Sequence, residues 1–417
     1  MTAPRVFFFT TSYPCWSIDR AGPFVHALAR ALVRSGAKVE VLAPAFGTAA
    51  SHSSIDGVEI HRFRYAPLRW QTVAMGFGGV PVALKRAPWS ALQLPLMTIA
   101  AAALSLRAAG RCDVLHAHWL PNLLPLAPAA RLRRRPRLVT LWGSDVEWFE
   151  RAPRLQPAFR TLLRGADGIA AINHHMHDLF QPLVKSGTKV RLIPSGVDTS
   201  LFRPRDKNQL RARLGFASDS FIMLCVGSVI ARKGFDVAIE SLTLASGSAR
   251  RAVLLVVGEG PERSRLEHLA EQLGVAERVR FVGERSVVEV ADFMAASDAF
   301  VLPSRYEGRP NVLLEAQASG LAVVASDIPG CSDLIEHGET GMLTPAADAA
   351  AMADALTLLA NDAALRAKLG ESSRRAIHDR GYTWDACARA YLDFYEDTLG
   401  VGASALLRST ASPSCSS

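Results

Sequence analysis

Short apolar runs alternate with longer segments of helical periodicity in two separate stretches of this 417-residue chain. The first stretch opens with an apolar run at 6–10, an amphipathic helix pattern at 24–35 and a second apolar run at 39–43. This order predicts a β-α-β unit. Because the strand segments are continuously apolar, the sheet that they form is predicted to be parallel and covered on both faces.

The alternation continues, stops near Asp198 and then starts again. Further strands of the first series are predicted at 114–118, 138–141, 168–172 and 190–194. Strands of the second series are predicted at 221–226, 252–257, 279–283, 299–303 and 322–326. The sequence therefore predicts two doubly wound α/β domains, residues 1–200 and residues 201–381, with ligands bound outside the carboxyl ends of the strands. A helix is predicted at 382–400, and the small-residue tail 401–417 is expected to be disordered.

The composition indicates a folded protein with an acidic partner. Hydrophobic residues make up 49% of the chain and charged residues 21%, which is unlike a disordered protein. The formal net charge of +8 favours a nucleotide, an anionic membrane or a nucleic acid as partner. No nucleic-acid reading motif accompanies the charge, so no nucleic acid is expected. The six cysteines are scattered, which indicates neither a zinc site nor a disulfide framework and favours a reducing cytoplasm.

Two loops that follow predicted strands carry glycines in positions suited to a phosphate ligand. The loop GSVIARKG begins at Gly227 and contains adjacent Arg232 and Lys233. A planar guanidinium and a mobile ammonium complement one another on a diphosphate, although an ordinary basic turn remains the alternative. The loop GEGP, which begins at Gly258, is best explained as a tight turn that needs glycine.

Two glutamates lie eight positions apart around a third loop, in SRYEGRPNVLLEAQASG. Pro310 is predicted in the first turn of a helix at 311–319, so that Glu307 lies in the loop and Glu315 in the helix. The free N–H groups of the helix N-terminus suit a diphosphate, and Gly308 lets a ligand approach closely. The carboxylates can accept hydrogen bonds from sugar hydroxyls. The alternative is an exposed loop acid and a solvated helix acid.

These motifs resemble those of the GT-B retaining glycosyltransferases of family 4. The likeness runs from 227 to 343 and includes VGEGPE, LPSRYEGRPNVLLEAQASGLAVVASDIPG and HGETGML, with further matches at TSYP, AGPFVHALARAL, HAHW, GSD and IPSGVD. The resemblance implies that the C-terminal domain holds a nucleotide-sugar donor and the N-terminal domain an acceptor. It also implies that the helix at 382–400 crosses back to the N-terminal domain.

The resemblance implies roles for individual residues. The catalytic group would include Arg232, Lys233, Glu307 and Asp145, with both cations on the diphosphate and Glu307 on the donor sugar. His118, at the end of a predicted strand, could also reach the site and joins this group, with a hydrogen-bonded interior histidine as the alternative. The donor-binding group would be Gly22, Gly227, Gly258, Gly283, Gly308, Arg309, Pro310, Asn311, Val312 and Glu315, the last on the ribose. The sequence departs from the family pattern at Ser228, where an arginine is common, and at Trp142, where a histidine is common.

The expected reaction needs neither a cofactor nor a metal. No D-x-D pair occurs in the sequence, so protein cations and a helix dipole are expected to neutralise the leaving diphosphate. The resemblance implies transfer of a hexose-type sugar from UDP or GDP with retention, in polysaccharide, glycolipid or other glycoconjugate biosynthesis. A nucleotide-sugar epimerase and a non-catalytic nucleotide-sugar-binding subunit remain alternatives.

Basic and aromatic residues precede the longest apolar run, 91–106. They are Arg62, Arg64, Tyr65, Arg69, Trp70, Lys85, Arg86 and Trp89. The run falls short of the 18 residues of a membrane span, so it is predicted to be a buried or interfacial helix. A basic segment directly before such a helix suits binding to an anionic membrane surface, where a lipid-linked acceptor would reside. The alternative is a core helix with solvated arginines before it. The expected location is the cytoplasm, with peripheral binding to the inner membrane face left open.

Overall fold

The computed structural model describes residues 4–14, 22–45, 49–73 and 79–400. Its contacts divide the chain into two compact units. The first unit comprises Met1–Pro194 with Trp384–Ser417, and the second comprises Ser195–Thr383. These limits lie a few residues from the predicted limits at 200 and 382. The predicted tail at 401–417 lies outside the described residues.

The first unit contains an eight-stranded sheet among its described residues. Its strands are β1 (Arg5–Phe9), β2 (Lys38–Pro44), β3 (His52–Ile55), β4 (Val58–Phe63), β5 (Val114–His118), β6 (Arg137–Leu141), β7 (Gly168–Ala171) and β8 (Lys189–Leu192). The strand order is β3-β4-β2-β1-β5-β6-β7-β8, and all neighbours are parallel except β3 and β4. The central strands β1 and β5 are buried over almost their whole length, as continuous apolar runs predict.

Helices cover this sheet on both faces. They are α1 (Pro23–Arg34), α2 (Gly79–Arg86), α3 (Leu94–Ala108), α4 (Leu123–Arg133), α5 (Gly143–Arg151), α6 (Gln156–Arg164) and α7 (His174–Phe180). Right-handed crossovers place α3 and α4 on the same face, because both connect strands in the same direction along the sheet. The two helices pack side by side.

The second unit contains a six-stranded parallel sheet. Its strands are β9 (Ile222–Val226), β10 (Val253–Val257), β11 (Val279–Gly283), β12 (Ala299–Leu302), β13 (Ala322–Ser326) and β14 (Met342–Thr344), in the order β11-β10-β9-β12-β13-β14. Its helices are α8 (Lys207–Leu214), α9 (Phe235–Leu244), α10 (Arg263–Gln272), α11 (Val287–Ala296), α12 (Asn311–Ala318), α13 (Pro329–Ser332), α14 (Ala349–Asn361) and α15 (Ala363–Asp379). Separate apolar clusters pack against the two faces of this sheet.

The last described helix, α16 (Trp384–Leu399), belongs to the first unit. It packs against α1, and Tyr391 and Tyr395 are among the largest fully buried side chains. Their hydroxyls form hydrogen bonds of 2.7 Å and 2.8 Å to Thr140 Oγ1 and His116 Nδ1. The chain thus returns to complete the core of the first unit after it has formed the second.

The structure confirms the predicted α/β class with two parallel sheets, and it corrects several details. The hairpin β3–β4 and the short strand β14 were not predicted. Pro310 lies at the N-cap of α12 rather than inside its first turn, since the helix begins at Asn311. The run at 91–106 lies within a longer helical segment, Pro88–Ala108, made of a 3-10 helix (Pro88–Gln93) and α3; by length and composition alone, these 21 residues could span a membrane.

Candidate functional site

Lys233 and Glu307 form a largely buried ion pair in the second unit. The Lys233 Nζ donates to Glu307 Oε1 over 2.6 Å, and Ser304 Oγ donates to the same oxygen over 2.7 Å. The side chains of Lys233 and Glu307 are 13% and 8% exposed. Lys233 comes from the loop after β9 and Glu307 from the loop after β12, so neighbouring strands of the parallel sheet bring the two loops together.

Arg305 fixes the same two loops to one another, and the sequence did not predict this. Its guanidinium donates to both carboxylate oxygens of Asp236, over 2.9 Å and 2.8 Å, and to the Ala231 carbonyl over 2.8 Å. Its backbone N–H donates to the Arg232 carbonyl. Burial raises the pKa of Asp236, but the hydrogen bonds and charge of Arg305 outweigh it and leave the pKa below its usual value. The Arg305–Asp236 pair therefore sets the path of the loop that carries Arg232 and Lys233.

The predicted glycines lie at the carboxyl ends of the neighbouring strands β9, β10 and β11. Gly227 directly follows β9, and Gly258, directly after β10, donates its N–H to the carbonyl of Gly283 over 2.9 Å. A Cβ atom on Gly258 would lie 1.9 Å from the Gly227 carbonyl oxygen. Packing therefore requires glycine at 258, whether or not a ligand is bound. The close packing leaves backbone rather than side chains along this edge of the sheet.

The start of α12 carries the remaining predicted donor residues. Gly308 and Arg309 lie in the loop, Pro310 at the N-cap, and Asn311 and Val312 in the first turn. Ser195 Oγ donates to Asn311 Oδ1 over 2.9 Å, which fixes the orientation of that amide. The Arg309 guanidinium lies 4.4 Å from the centre of the Tyr382 ring.

Glu315 and Arg232 complete the predicted set in this unit. Glu315 lies in the second turn of α12 and is half-buried, whereas Arg232 is exposed. Within the described part of the chain, the Arg232 guanidinium makes no hydrogen bond or ion pair. The arrangement offers an exposed guanidinium, an ammonium held by an ion pair and the N–H groups of a helix N-terminus. A diphosphate is the ligand that this combination suits.

The first unit contains two buried histidines on β5 with different surroundings. His116 is hydrogen-bonded at both ring nitrogens, to Tyr395 and Thr140. His118 is also fully buried, but neither ring nitrogen has a hydrogen-bond partner among the described residues. Burial, and then the neighbouring His116, lowers the pKa of His118 well below its usual value. His118 is therefore a neutral imidazole whose polar atoms the fold leaves unsatisfied, which is unusual for a structural histidine.

Aromatic side chains surround His118. The centre of its ring lies 6.1 Å from that of Trp142, and Phe24 lies 4.3 Å from Trp142. The Trp142 Nε1 also lacks a partner among the described residues. The neighbouring Trp119 adopts φ 68° and ψ 139°, a backbone conformation that costs an L residue about 1–3 kcal/mol. The sequence signal for this cluster was the run HAHW, which the family resemblance includes.

Asp145 is buried at the start of α5 and holds the backbone there. Its two carboxylate oxygens accept from the N–H groups of Leu120, over 3.0 Å, and Trp142, over 2.7 Å. Burial raises the pKa of Asp145 to about 7, although the hydrogen bonds from the two N–H groups act to lower it. Its contacts hold the ends of β5 and β6 in place, and its catalytic role stays a prediction.

Gly22 lies at the N-cap of α1 with φ 64°. A Cβ atom there would lie 2.4 Å from the Ser12 carbonyl oxygen, so both the backbone conformation and the packing require glycine. The second unit thus contains twelve of the predicted site residues: Gly227, Arg232, Lys233, Gly258, Gly283, Glu307, Gly308, Arg309, Pro310, Asn311, Val312 and Glu315. His118, Asp145 and Gly22 lie in the first unit. Among the described residues, no group of three His, Cys, Asp or Glu side chains could hold a metal ion.

Comparison with known families gives matches in both units. The profile of the Glycosyl transferases group 1 family matches residues 206–376, and that of the Glycosyl transferase 4-like domain matches residues 21–196. A D-inositol 3-phosphate glycosyltransferase 1 of Catenulispora acidiphila is 32% identical over 321 residues, which are 71% of this chain and 75% of that protein. The chain belongs to the group 1 glycosyltransferases of family 4.

Two further relatives of this glycosyltransferase act on other acceptors, according to their names. A GDP-mannose-dependent alpha-(1-6)-phosphatidylinositol monomannoside mannosyltransferase of Mycobacterium tuberculosis is 30% identical over 66% of this chain and 74% of its own. An N-acetyl-alpha-D-glucosaminyl L-malate synthase of Bacillus anthracis is 27% identical over 75% of this chain and 82% of its own. The family therefore includes enzymes with different donors and acceptors.

Solved structures confirm the GT-B fold of this glycosyltransferase. The sucrose-phosphate synthase of Thermosynechococcus elongatus has a TM-score of 0.78 at 22% identity, covering 96% of this chain and all of that one. The Anabaena protein HepE, in complex with UDP and glucose, has a TM-score of 0.72 at 20% identity, covering 94% of this chain and all of that one. At these identities, the likeness establishes the fold alone.

Proposed function

We propose that this glycosyltransferase moves a hexose-type sugar from a nucleoside diphosphate sugar, with UDP or GDP as the nucleotide, to an acceptor hydroxyl. The observation that carries the proposal is the ion pair between Lys233, in the loop after β9, and Glu307, in the loop after β12. Glu307 lies four residues before the start of α12. Lys233 and Arg232 would bind the diphosphate, and Glu315 the ribose. The relatives named for GDP-mannose and crystallised with UDP support a diphosphate donor.

Lys233 and Glu307 would contact different parts of the donor, the diphosphate and the sugar respectively. Glu307 Oε1 already accepts from Lys233 and Ser304, so Oε2 is the atom with more capacity to accept from a sugar hydroxyl. The same pair keeps the Lys233 ammonium in place before the donor arrives. A cation that is already in position needs no reorganisation when charge develops on the leaving diphosphate.

In the proposed reaction the new bond forms on the face from which the diphosphate leaves. The bond between the anomeric carbon and the diphosphate oxygen breaks, and the acceptor oxygen bonds to the same carbon. The acceptor proton passes to a phosphate oxygen of the leaving group, so the configuration is retained and no protein base is required. Arg232, Lys233 and the N-terminus of α12 would neutralise the leaving group in place of a divalent metal.

The test is a transfer assay with UDP- and GDP-hexoses and a panel of sugar and lipid-linked acceptors, with EDTA in one arm. We expect transfer in both arms, with a product whose anomeric proton coupling matches that of the donor. Loss of transfer in EDTA, or a product of inverted configuration, would contradict the mechanism. Conversion of the donor without any acceptor would indicate an epimerase, and donor binding without turnover a non-catalytic subunit.

A further inference from the structure

The segment Pro88–Ala108 has apolar side chains on its solvent-exposed side. Leu92 is 79% exposed, Leu96 53% and Ile99 66%, while Met97 and Ala101 on the opposite side of α3 are buried. Only 28% of its most apolar 18-residue stretch is buried within the structure. A helix that is apolar on all sides is normally buried on all sides. Among the described residues, this segment therefore lacks an apolar partner on one side.

The neighbouring helix α4 extends this apolar area. Leu124 and Leu132 lie on its exposed side. Because α3 and α4 pack side by side on one face of the sheet, their exposed sides face the same way. We call the area formed by Leu92, Leu96, Ile99, Leu124 and Leu132 the α3–α4 surface. Large contiguous apolar areas mark sites that bind proteins or membranes.

Arginines border the α3–α4 surface at one end. A short loop joins α3 to β5 and another joins α4 to β6, and the parallel strands β5 and β6 begin at the same edge of the sheet, so the C-termini of the two helices lie at the same end of the unit. Arg107 lies in the last turn of α3, and Arg131, Arg133 and Arg134 lie at the end of α4. All four are exposed, and none is paired with a carboxylate within the described ranges. Guanidinium groups in this state are available to bind phosphate groups.

We propose that the α3–α4 surface binds the face of an anionic lipid bilayer. Leu92, Leu96 and Ile99 would enter the boundary between head groups and acyl chains, and the arginines would bind lipid phosphates. The surface would lie on the bilayer rather than cross it, because Met97 and Ala101 pack into the core of the unit. This inference concerns binding alone and stands independently of the proposed transfer reaction.

Charge complementarity favours a bilayer over a second copy of this chain as the occupant. The chain carries a net charge of +8, and the arginines at the edge of the surface have the same sign in every copy. Repulsion between the arginines of two copies would oppose dimerisation through this surface. Anionic lipid instead attracts the arginines, by about 1 kcal/mol per basic residue.

The first test is co-sedimentation of the full chain with vesicles of phosphatidylcholine and phosphatidylglycerol, and with phosphatidylcholine alone. We expect binding to the anionic vesicles that weakens as salt rises. Leu96→Glu should lower the vesicle partition coefficient about tenfold or more, because it removes an apolar contact and adds a negative charge. Leu244→Glu is the matched control, since Leu244 is 56% exposed in the second unit. It should bind as the wild type does.

A second pair of variants tests the arginines. The double variant Arg131→Gln and Arg133→Gln should bind anionic vesicles several-fold more weakly, whereas Arg250→Gln with Arg251→Gln, which removes the same charge from the second unit, should have a smaller effect. Equal losses in both double variants would show attraction by net charge alone and would overturn the assigned surface.

Three other results would overturn the proposal. The first is absence of binding to either kind of vesicle, and the second is wild-type binding by Leu96→Glu. The third is a wild-type dimer in sedimentation velocity that Leu96→Glu converts to a monomer, since a second copy would then cover the surface. Melting curves of each variant establish that it is folded before its binding is measured.

Discussion

Replacing Lys233 by Met removes the ammonium group and leaves Glu307 largely buried without its counter-ion. The Nζ–Oε1 distance is 2.6 Å and the two side chains are 13% and 8% exposed. Removing one partner of a buried ion pair destabilises a protein by about 3–5 kcal/mol, and this incomplete burial places the expected value near the lower limit, at about 3 kcal/mol. In a unit of this size, the loss corresponds to a melting temperature lower by about 6–12 °C.

The assay is calorimetry of the nucleotide-free protein, which separates the melting of the two units if they unfold independently. Glu307→Gln and the double variant complete a cycle. We expect the double variant to be more stable than the sum of the single effects predicts, by about 1.5 kcal/mol or more, because the second change removes the unpaired charge. Lys368→Met replaces an exposed lysine of α15 and is the matched control, with little expected change.

Melting of Lys233→Met within a degree or two of Lys368→Met, or additive effects of the two single substitutions, would show that the Lys233–Glu307 pair does not stabilise the second unit. The transfer rate is an independent readout. Lys233→Met should lower kcat by about 10²–10³-fold, because it removes a preorganised cation from the leaving group. A variant that loses stability and keeps its transfer rate would show that Lys233 has a structural role only.

Three further predictions concern other parts of the site. His118→Leu should lower the transfer rate about 10²-fold with little change in melting temperature. His116→Leu should destabilise the first unit by about 1–3 kcal/mol, because it removes the partner of the buried Tyr395 hydroxyl and one of the two partners of Thr140 Oγ1. Calorimetry with a transfer assay checks both, and the reverse pattern would contradict these roles. Gly258→Ala should weaken binding of a nucleoside diphosphate about tenfold in titration calorimetry, because its Cβ would lie 1.9 Å from the Gly227 carbonyl oxygen and would displace that loop. Gly274→Ala is the control, since its Cβ would meet no atom within 4 Å, and it should bind as the wild type does. Equal losses of affinity in the two variants would contradict this prediction. The ion pair of Asp236 with Arg305 should contribute its full stability above pH 3.8, the usual pKa of the carboxyl group, and should lose it as the pH falls through the lower pKa of Asp236 in the folded protein. The measurement is the difference in melting temperature between the wild type and Asp236→Asn as a function of pH. A difference that stays constant below pH 3.8 would contradict the assigned ion pair.

The parallel strands could be predicted because burial on both faces leaves a continuous apolar run in the sequence. The run predicted at 114–118 is the strand Val114–His118, and the run at 279–283 is the strand Val279–Gly283. The hairpin β3–β4 was missed because the residues His52–Ile55 are polar and largely exposed at the edge of the sheet. Such a strand gives no apolar signal.

The site could be predicted only as far as its motifs are local. Lys233 and Glu307 each lie in a recognisable loop, but their contact joins residues 74 positions apart, which no local pattern encodes. The same holds for Arg305 and Asp236, 69 positions apart, whose pairing fixes the loops. The sequence equally could not predict that both His118 ring nitrogens lack a hydrogen-bond partner among the described residues, since this depends on the packing of β5 against its neighbours.

We propose that the loops after β9 and β12 hold a nucleoside diphosphate through Lys233. Titration calorimetry of the wild type and of Lys233→Met with UDP and with GDP, in the presence of EDTA, measures this binding. We expect metal-independent binding of one of the two nucleotides by the wild type, and binding at least tenfold weaker by the variant, since a charge-assisted contact to phosphate contributes about 1.5–3 kcal/mol. Equal affinity of the two proteins, or binding that requires magnesium, would contradict it.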